Sequence, residues 1–203
     1  MEVFVVIVIL GILAAILLPA LASHHCTCLK IDCVNNLKQI TLAYRIWAGD
    51  NGGKYPMQFS VTNGGVFDFA TGSNSWMVYS VMSNELSTPK VVFCPQDRKS
   101  VLATDFGKAF NNSSVSYFVG LNADEDHPQM FLSGDDNFAI GGIPVKSGLL
   151  EFSTNIPIAW TSARHHVAGN IGFPDGSVQS VANSNLLNLV RQTGVATNRL
   201  AIP

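Results

Sequence analysis

The first pattern along the chain is an apolar run, which covers residues 3–18 without a polar side chain. Glu2 stands before this run and Pro19 follows it. A helix over residues 1–22 would be roughly as long as the 30 Å hydrocarbon core of a bilayer. Because the run has no polar face, a helix buried in a soluble core explains it less well. The pattern therefore predicts a transmembrane helix over residues 1–22.

A second pattern follows, in which apolar residues recur at intervals of three and four and form a stripe along one helix face. The members of this stripe are Cys33, Leu37, Ile40, Tyr44 and Trp47. Gly52 and Gly53 come after it and can take the left-handed conformation that ends a helix. We therefore predict a stem helix over residues 1–50, with a kink at Pro19, and a globular head over residues 51–203.

The head shows shorter patterns that are typical of a mixed fold. The predicted strands or extended segments are residues 91–94, 113–119 and 156–160, the last near a sheet edge because of Pro157. Residues 169–181 predict a hairpin that turns at the Pro-Asp-Gly sequence of residues 174–176. Residues 184–192 predict a short amphipathic helix. These elements favour an α+β head on an antiparallel β-sheet.

Composition narrows the classes of function. Charged residues make up 13% of the chain and the net charge is −2, so the basic face that nucleic-acid binding needs is not expected. The low charge and the many small polar residues of the head are typical of an exported protein. An exported head meets an oxidising compartment, where disulfides persist. The four cysteines are Cys26, Cys28, Cys33 and Cys94.

The apolar run also admits two simpler interpretations. A secretory signal peptide would agree with the small-x-small sequence of residues 20–22, but such peptides begin with a positively charged region, which this chain lacks. An ordinary single-span anchor would explain the length of the run but not Glu2. A charge beside a membrane segment is costly and tends to mark function. Glu2 therefore needs a partner.

Two groups of residues could hold a metal ion. Residues 24–28 read His-His-Cys-Thr-Cys, but on a helix Cys26 and Cys28 point about 200° apart and do not easily share an ion. Calcium prefers several carboxylate oxygens on flexible loops. The weak calcium candidates are Asp124, Asp126, Asp135 and Asp136, although a solvated acidic loop explains them equally simply. We expect no other cofactor.

His165, His166 and Asp175 could supply a catalytic base and an acid that orients it. The chain lacks a nucleophile in a recognisable context, such as Gly-x-Ser-x-Gly, and lacks His-Glu-x-x-His. We therefore predict no catalytic residue and no enzyme.

Several segments resemble type IV pilins and the pseudopilins of type II secretion. Residues 4–21 are similar to the N-terminal helix of that family, which has an acid near its start and a proline at the spacing from Glu2 to Pro19. The sequence Cys-Val-Asn-Asn-Leu-Lys-Gln-Ile of residues 33–40 resembles the segment that follows. Family precursors begin with a basic leader, so the leader and a few mature residues are expected to be missing before Glu2.

The C-terminal half also resembles a large pilin-like group. The similar segments are Cys94-Pro95, residues 116–120, and His165 followed after nine residues by Asp175-Gly176. The resemblance implies a pilin-like α+β fold, in which a long N-terminal helix packs on a head with an antiparallel β-sheet. It also implies a Cys33–Cys94 disulfide. Asp175 and Gly176 would form the turn of the closing hairpin, with His165 packed near that turn.

The function that this resemblance implies is a structural subunit of a pilus or pseudopilus filament. Glu2 and Pro19 would act in assembly, and the partners would be identical or related subunits and the inner-membrane assembly machinery. The chain would lie in the bacterial inner membrane with its head in the periplasm, and later in a periplasmic pseudopilus or a cell-surface filament. The alternative is a membrane-tethered binding or enzymatic head that never polymerises.

Overall fold

The first element is one long helix, α1, which spans Glu2–Asp50. The structure is a computed structural model that describes residues 2–70 and 74–203, with the backbone alone for residues 2, 14 and 16–29. Gly52 and Gly53 follow α1 in the left-handed conformation, with φ of 67° and 76°. The Gly53 amide donates to the Ala48 carbonyl at 2.8 Å, which closes the last turn. The helix therefore ends at Asp50, just before Gly52 and Gly53, as the sequence predicted.

The predicted transmembrane segment, residues 1–22, includes residues that the structure does not fully describe. Met1 lies outside it entirely, and the side chains of Glu2 and Pro19 are among those not described. Within the described residues, no helix combines the length and the apolar character that crossing a bilayer requires.

Short helices and turns follow α1, and several of them contact its C-terminal part. The helices are α2 (Phe67–Ala70), α3 (Trp76–Val81), α4 (Ser83–Leu86) and, near the C-terminus, α5 (Asn183–Gln192). The 3-10 turns are Pro56–Gln58, Val61–Asn63, Pro89–Val92 and Asn112–Ser114. The predicted extended segment at residues 91–94 is thus partly a 3-10 turn. It begins at Pro89 because the Thr88 hydroxyl accepts a hydrogen bond from the Lys90 amide.

The described part of the chain also contains nine strands. They are β1 (Tyr117–Gly120), β2 (Ser133–Asp135), β3 (Phe138–Ile140), β4 (Ile143–Pro144), β5 (Gly148–Phe152), β6 (Ile158–Trp160), β7 (Ala168–Gly172), β8 (Val178–Ala182) and β9 (Asn198–Ile202). Six of them form a sheet in the order β5-β9-β1-β2-β7-β8, and three form a second sheet in the order β4-β3-β6. Every pairing is antiparallel. The strand predicted over residues 113–119 is shorter, since residues 112–114 form a turn.

The six-stranded sheet separates two hydrophobic cores, because successive side chains of a strand point to opposite faces. Tyr117 and Val119 of β1 join the core beneath α1, together with Leu37 and Tyr44 of the helix. Phe118, between them, points into the second core with Phe138 and Trp160 of the small sheet and Leu186 of α5. The rings of Phe138 and Trp160 stack at 4.3 Å between centroids. Polar residues on the first face of the sheet therefore lie against α1.

The predicted fold class is wrong. A pilin-like long helix packed on a head does not describe the molecule, since the described side chains of residues 3–13 are exposed and only those from residue 30 onward meet the head. The rest is dominated by antiparallel strands in two sheets rather than one. The physical reason is that the apolar stripe, which gives a helix a face to bury, begins at Cys33.

Candidate functional site

The place where α1 joins the head is built around a disulfide. Cys33 lies on α1, and Cys94 lies just after the 3-10 turn Pro89–Val92. The two residues are bonded through their sulfur atoms, with their Cα atoms 5.4 Å apart. Both side chains are buried. The structure thus has the bridge that the resemblance implied, and it fixes the packed part of the helix to the chain 61 residues further on.

His165 lies directly against this disulfide. Its Nε2 atom is 3.6 Å from the sulfur of Cys94 and 3.3 Å from Oδ2 of Asp135. The imidazole is buried, and its other nitrogen, Nδ1, has no hydrogen-bond partner among the described residues. One ring nitrogen therefore faces a sulfur and a carboxylate oxygen together, in a site closed to solvent.

The backbone that carries His165 is strained. His165, His166 and Val167 all take positive φ, at 50°, 53° and 66°. The left-handed region is unfavourable for residues with a β-carbon, and most of all for a β-branched residue such as valine. Strain of this kind persists only where the surroundings hold it, and it clusters at functional sites. Here the His165 amide donates to Oε1 of Gln96 at 3.0 Å, which is one of the restraints.

Arg164, the neighbour of His165, is buried among carboxylates. Its guanidinium contacts Asp136 directly, lies 3.3 Å from Oδ2 of Asp97, and lies 3.7 Å from Oδ1 of Asp135. It also donates to the carbonyl of Ser116 at 2.7 Å. A buried charge is tolerated when it is paired and hydrogen-bonded, as this one is. Arg164 therefore holds the residue 164–167 segment against β1 and β2.

Arg164 helps to lower the pKa of the Asp97 carboxyl. Burial alone would raise the pKa of its carboxyl, but the Arg164 guanidinium and hydrogen bonds from the Lys99 amide and the Ser100 hydroxyl together bring the pKa below its ordinary value. The amide hydrogen bond measures 2.9 Å and the hydroxyl one 2.7 Å. Asp97 therefore stays ionised at neutral pH and supports the buried arginine.

Asp135 is fixed from its other side by Asn170 of β7. Its Oδ2 atom accepts from the Asn170 backbone amide at 2.7 Å and from the Asn170 side-chain amide at 2.9 Å. The hydroxyl of Ser180 in turn donates to the Asn170 side-chain oxygen at 2.6 Å. We refer to Cys33, Cys94, Asp135, Arg164 and His165 as the junction cluster. Neighbouring strands of the large sheet thus hold its polar members in place.

The predicted closing turn exists, but His165 does not lie near it. Gly176 has φ of 86°, and the Asp175 carboxylate accepts from the Ser177 amide at 2.8 Å, so this Asp-Gly pair does form the turn between β7 and β8. His165 precedes β7, while the turn follows it. The prediction that His165 packs near this turn is therefore wrong. Its contacts are with Cys94 and Asp135.

The weak calcium candidates divide between two settings. The Asp124 carboxylate accepts from the backbone amide of His127 at 2.9 Å and lies 2.7 Å from its Nδ1, and Asp126 is exposed beside it. Asp135 and Asp136 face Arg164 instead. Neither pair belongs to a group of three or more donors close enough to share an ion, as judged over the described residues. An arginine already neutralises the second pair, which disfavours calcium there.

Three possible donors of the junction cluster lie close together, but two of them are the sulfurs that are bonded to each other in the disulfide. Cys33, Cys94 and His165 each offer one ligand atom, and these atoms lie within 4.8 Å of one another. Sequence reasoning selected these residues separately, but it gave His165 a different neighbour. It missed Arg164 and Asp97 altogether. The available signal was an arginine directly before the histidine in a chain with few charged residues.

The other exceptional surface lies at the opposite end of α1. We call residues 3–13 the N-terminal apolar stretch, and its large side chains are 45–73% exposed. These side chains are Val3, Phe4, Val5, Val6, Ile7, Val8, Ile9, Leu10, Ile12 and Leu13. The other candidate residues of α1, Glu2, Pro19 and the His-Cys segment of residues 24–28, have side chains outside the described part.

The geometry supports a fixed joint and an exposed apolar helix end. The buried Cys33–Cys94 disulfide joins α1 to the head. The large side chains of the N-terminal apolar stretch are left exposed by the described part of the head. Comparison with known proteins finds no matching family model, no matching curated protein and no matching solved structure.

Proposed function

We propose that this chain is a structural subunit that assembles into a filament through α1, as a pilus or pseudopilus subunit does. The observation that carries the proposal is the N-terminal apolar stretch, whose large side chains are 45–73% exposed. Exposed apolar area costs about 25 cal/mol per Å² in water, and a continuous patch of this kind marks an interaction surface. Other copies of the same stretch supply matching apolar partners.

The position of the stretch favours an external partner over the chain's own head. The 49 residues of α1 correspond to a helix of about 74 Å. The Cys33–Cys94 disulfide and the buried stripe hold the C-terminal part of the helix on the head. While α1 stays one helix, its first turns cannot fold back onto that head. The cover must therefore come from outside the chain.

The outward face of the packed part of α1 also offers apolar side chains. Ile31, Leu42 and Ile46 are each about half exposed, at 53%, 54% and 46%. Such a face suits packing between neighbouring subunits, in which only the polar surface of the head meets solvent. This second observation favours a polymer over a tether, because a tether needs no apolar residues beyond its anchor.

The remaining parts of the proposal come from the sequence. Glu2 would pair with a neighbour's amino terminus, since an unpaired carboxylate in a dry helix bundle costs several kcal/mol. The chain would lie in the bacterial inner membrane before assembly, with its head in the periplasm. It would then enter a periplasmic pseudopilus or a surface filament with the help of inner-membrane assembly machinery.

Electron microscopy of sheared surface material tests the proposal. A strain expressing the full-length protein should yield filaments that contain it. Ile7→Asp should abolish them, because it places a carboxylate in the subunit interface, and Glu2→Ala should reduce their yield. Ile143→Asp is the matched control, since Ile143 is 73% exposed on β4 of the head and should tolerate the change.

Two results would decide against filament assembly. The first is a normal filament yield from Ile7→Asp. The second is an absence of filaments from every strain while the wild-type protein stays monomeric in detergent. That second result would favour the rival function, a tethered head that never polymerises.

A further inference from the structure

We propose that His165 catalyses closure of the Cys33–Cys94 disulfide by taking the proton from the thiol of Cys94. The reaction is internal, because its substrate is the pair of cysteines that fixes α1 to the head. The imidazole acts on its own chain and does not turn over, so the chain does not thereby become an enzyme. This inference does not depend on filament assembly.

The ring nitrogen and the sulfur are in contact. Nε2 of His165 lies 3.6 Å from Sγ of Cys94, although the two residues are 71 positions apart in the chain. Both side chains are buried, and Nδ1 of the same ring has no hydrogen-bond partner among the described residues. A thiol reacts as its thiolate, and a base within hydrogen-bond reach supplies that form. The imidazole is therefore in the position that a base for Cys94 requires.

Asp135 favours the protonated form of Nε2. Its Oδ2 atom is 3.3 Å from Nε2 and is held there by both amides of Asn170. A carboxylate at this distance repels a bare ring nitrogen and attracts the same nitrogen once it carries a proton. The acid of a catalytic triad lies on the other ring nitrogen, so Asp135 is instead a positioning residue that stabilises the imidazolium.

The proton transfer leaves the net charge of the junction cluster unchanged, because a thiol and an imidazole become a thiolate and an imidazolium. Charges that lie this close together compensate each other in a buried site. The nearby charges are Arg164, which is 3.7 Å from Asp135, and the carboxylates of Asp97 and Asp136, which contact Arg164. Tyr117 stays neutral, since burial raises the pKa of its hydroxyl well above the ordinary value.

The strained backbone fixes the imidazole relative to Cys94. Residues 165–167 take φ angles of 50°, 53° and 66°, and strain of this kind clusters at functional sites. The amide of His165 donates to the side chain of Gln96, which is two residues after Cys94. The base and the sulfur are thus anchored to the same short segment of the chain.

The reaction balances with an oxidant that carries a disulfide. The Cys33 sulfur attacks this oxidant and forms a mixed disulfide, and the first oxidant sulfur leaves as a thiol with the Cys33 proton. The Cys94 thiol then gives its proton to Nε2, and its sulfur attacks the sulfur of Cys33. The bond to the oxidant breaks, and the second oxidant sulfur leaves with the proton from His165. Two protein thiols are oxidised, and one disulfide is reduced to two thiols.

A surface pocket of about 440 Å³ gives the oxidant room beside the joint. Asp32, which precedes Cys33, lines this pocket together with Phe93 and Pro95, which flank Cys94. The oxidant occupies the pocket in the mixed disulfide and leaves through it when the bridge closes.

Reoxidation of the full-length protein in detergent tests the proposal. Cys26→Ser/Cys28→Ser is the background, so that only one pair can form. The protein is reduced with a phosphine and freed of it, oxidised glutathione is added, and closure is followed on non-reducing gels. At pH 7, His165→Gln should close about 10²–10⁴-fold more slowly, as expected when a general base is lost. His127→Ala, which removes an exposed imidazole, is the matched control and should close at the parental rate.

The pH dependence separates catalysis from a structural role. As the pH rises past the ordinary thiol pKa near 8.5, the thiolate forms without a base. The advantage of the parental protein over His165→Gln should therefore shrink as the pH is raised from 7 to about 9. Asp135→Asn should have an intermediate rate at pH 7 and the same narrowing at high pH.

A single-cysteine protein gives a second measurement, which needs no oxidant. With Cys33→Ser added to the background, Cys94 is the only cysteine left. Its thiolate is followed by ultraviolet absorbance, with the Cys33→Ser/Cys94→Ser protein as the blank. Half of the Cys94 thiol should be ionised below pH 8.5, the ordinary thiol value, because the imidazolium stabilises the thiolate.

Three results would overturn the assignment. One is a His165→Gln protein that closes at the parental rate at pH 7. Another is a rate difference that stays constant over the pH range, which would make His165 purely structural. The third is a single Cys94 thiol that is half ionised only above pH 8.5. This last result leaves His165 unchanged, so it decides the question even if the His165→Gln protein does not fold.

Discussion

Two stretches of α1 have opposite environments. In residues 3–13 the large side chains are 45–73% exposed, whereas the stripe from Cys33 to Trp47 is at most 6% exposed. The second stretch interleaves its apolar residues with polar ones such as Asn35 and Lys38, and so has one face to bury. The first is apolar on every side. The part of the helix that its own head covers is thus the part in which polar residues leave one apolar face.

The largest effect that separates the two stretches should come from the disulfide, which lies where the packed part begins. Reduction with a phosphine should lower the free energy of unfolding by about 4 kcal/mol in the chain-entropy estimate for this loop. Denaturant unfolding of the oxidised and the reduced head measures it. The double variant Cys33→Ser/Cys94→Ser should be insensitive to the reductant, and equal sensitivity would contradict the assignment.

The next effect compares leucines along α1. Leu37 is fully buried, so Leu37→Ala should cost about 2–5 kcal/mol of unfolding free energy through lost burial and a cavity. Leu42→Ala, five residues further on at an exposed position, and Leu10→Ala should each stay within about 0.5 kcal/mol. Denaturant titration in detergent measures all three. A loss from Leu10→Ala as large as that from Leu37→Ala would show that the head covers both stretches.

A smaller effect should come from the turn that meets the packed part of the helix. Gly176 has φ of 86°, and an added Cβ would lie 3.3 Å from the Arg45 side chain of α1. Gly176→Val should therefore lower stability by about 1–3 kcal/mol, mainly through left-handed strain at a β-branched residue. Thermal unfolding measures it. Gly11→Ala, in the exposed stretch, is the control, because a Cβ there meets nothing within 4 Å. An unchanged melting temperature for Gly176→Val would contradict the assigned conformation.

The smallest effect should be on how the free energy of unfolding depends on pH in acid. The pKa of Asp97 is lower in the folded head than its ordinary value. Its contribution to stability is therefore fully present above the unfolded-state pKa, near 4, and is lost as the pH falls through the lower folded-state pKa. Unfolding free energies measured from pH 5 downward should decline less steeply in Asp97→Asn than in the wild type. Identical slopes would show that Asp97 is not held ionised by Arg164.

The sequence predicted features that depend on local pattern and missed those that depend on distant contacts. The end of α1 followed from Gly52 and Gly53, and the β7–β8 turn from Asp175 and Gly176, because glycine conformations are local. The two-sheet architecture was missed, since β3, β4 and β6 are only two or three residues long and too short for periodicity. The setting of His165 was missed because Asp135 and Cys94 come from distant parts of the chain.

The central claim is that other copies of the chain cover the N-terminal apolar stretch. The most direct measurement is cross-linking of Ile7→Cys, in a Cys26→Ser/Cys28→Ser background, within sheared and sedimented material. Oxidation should convert it to a disulfide-linked dimer on a non-reducing gel, while Ile143→Cys, on the head surface, should remain largely monomeric. If Ile7→Cys stays monomeric in sedimented material, or cross-links no more than Ile143→Cys, the stretch is not an interface between subunits.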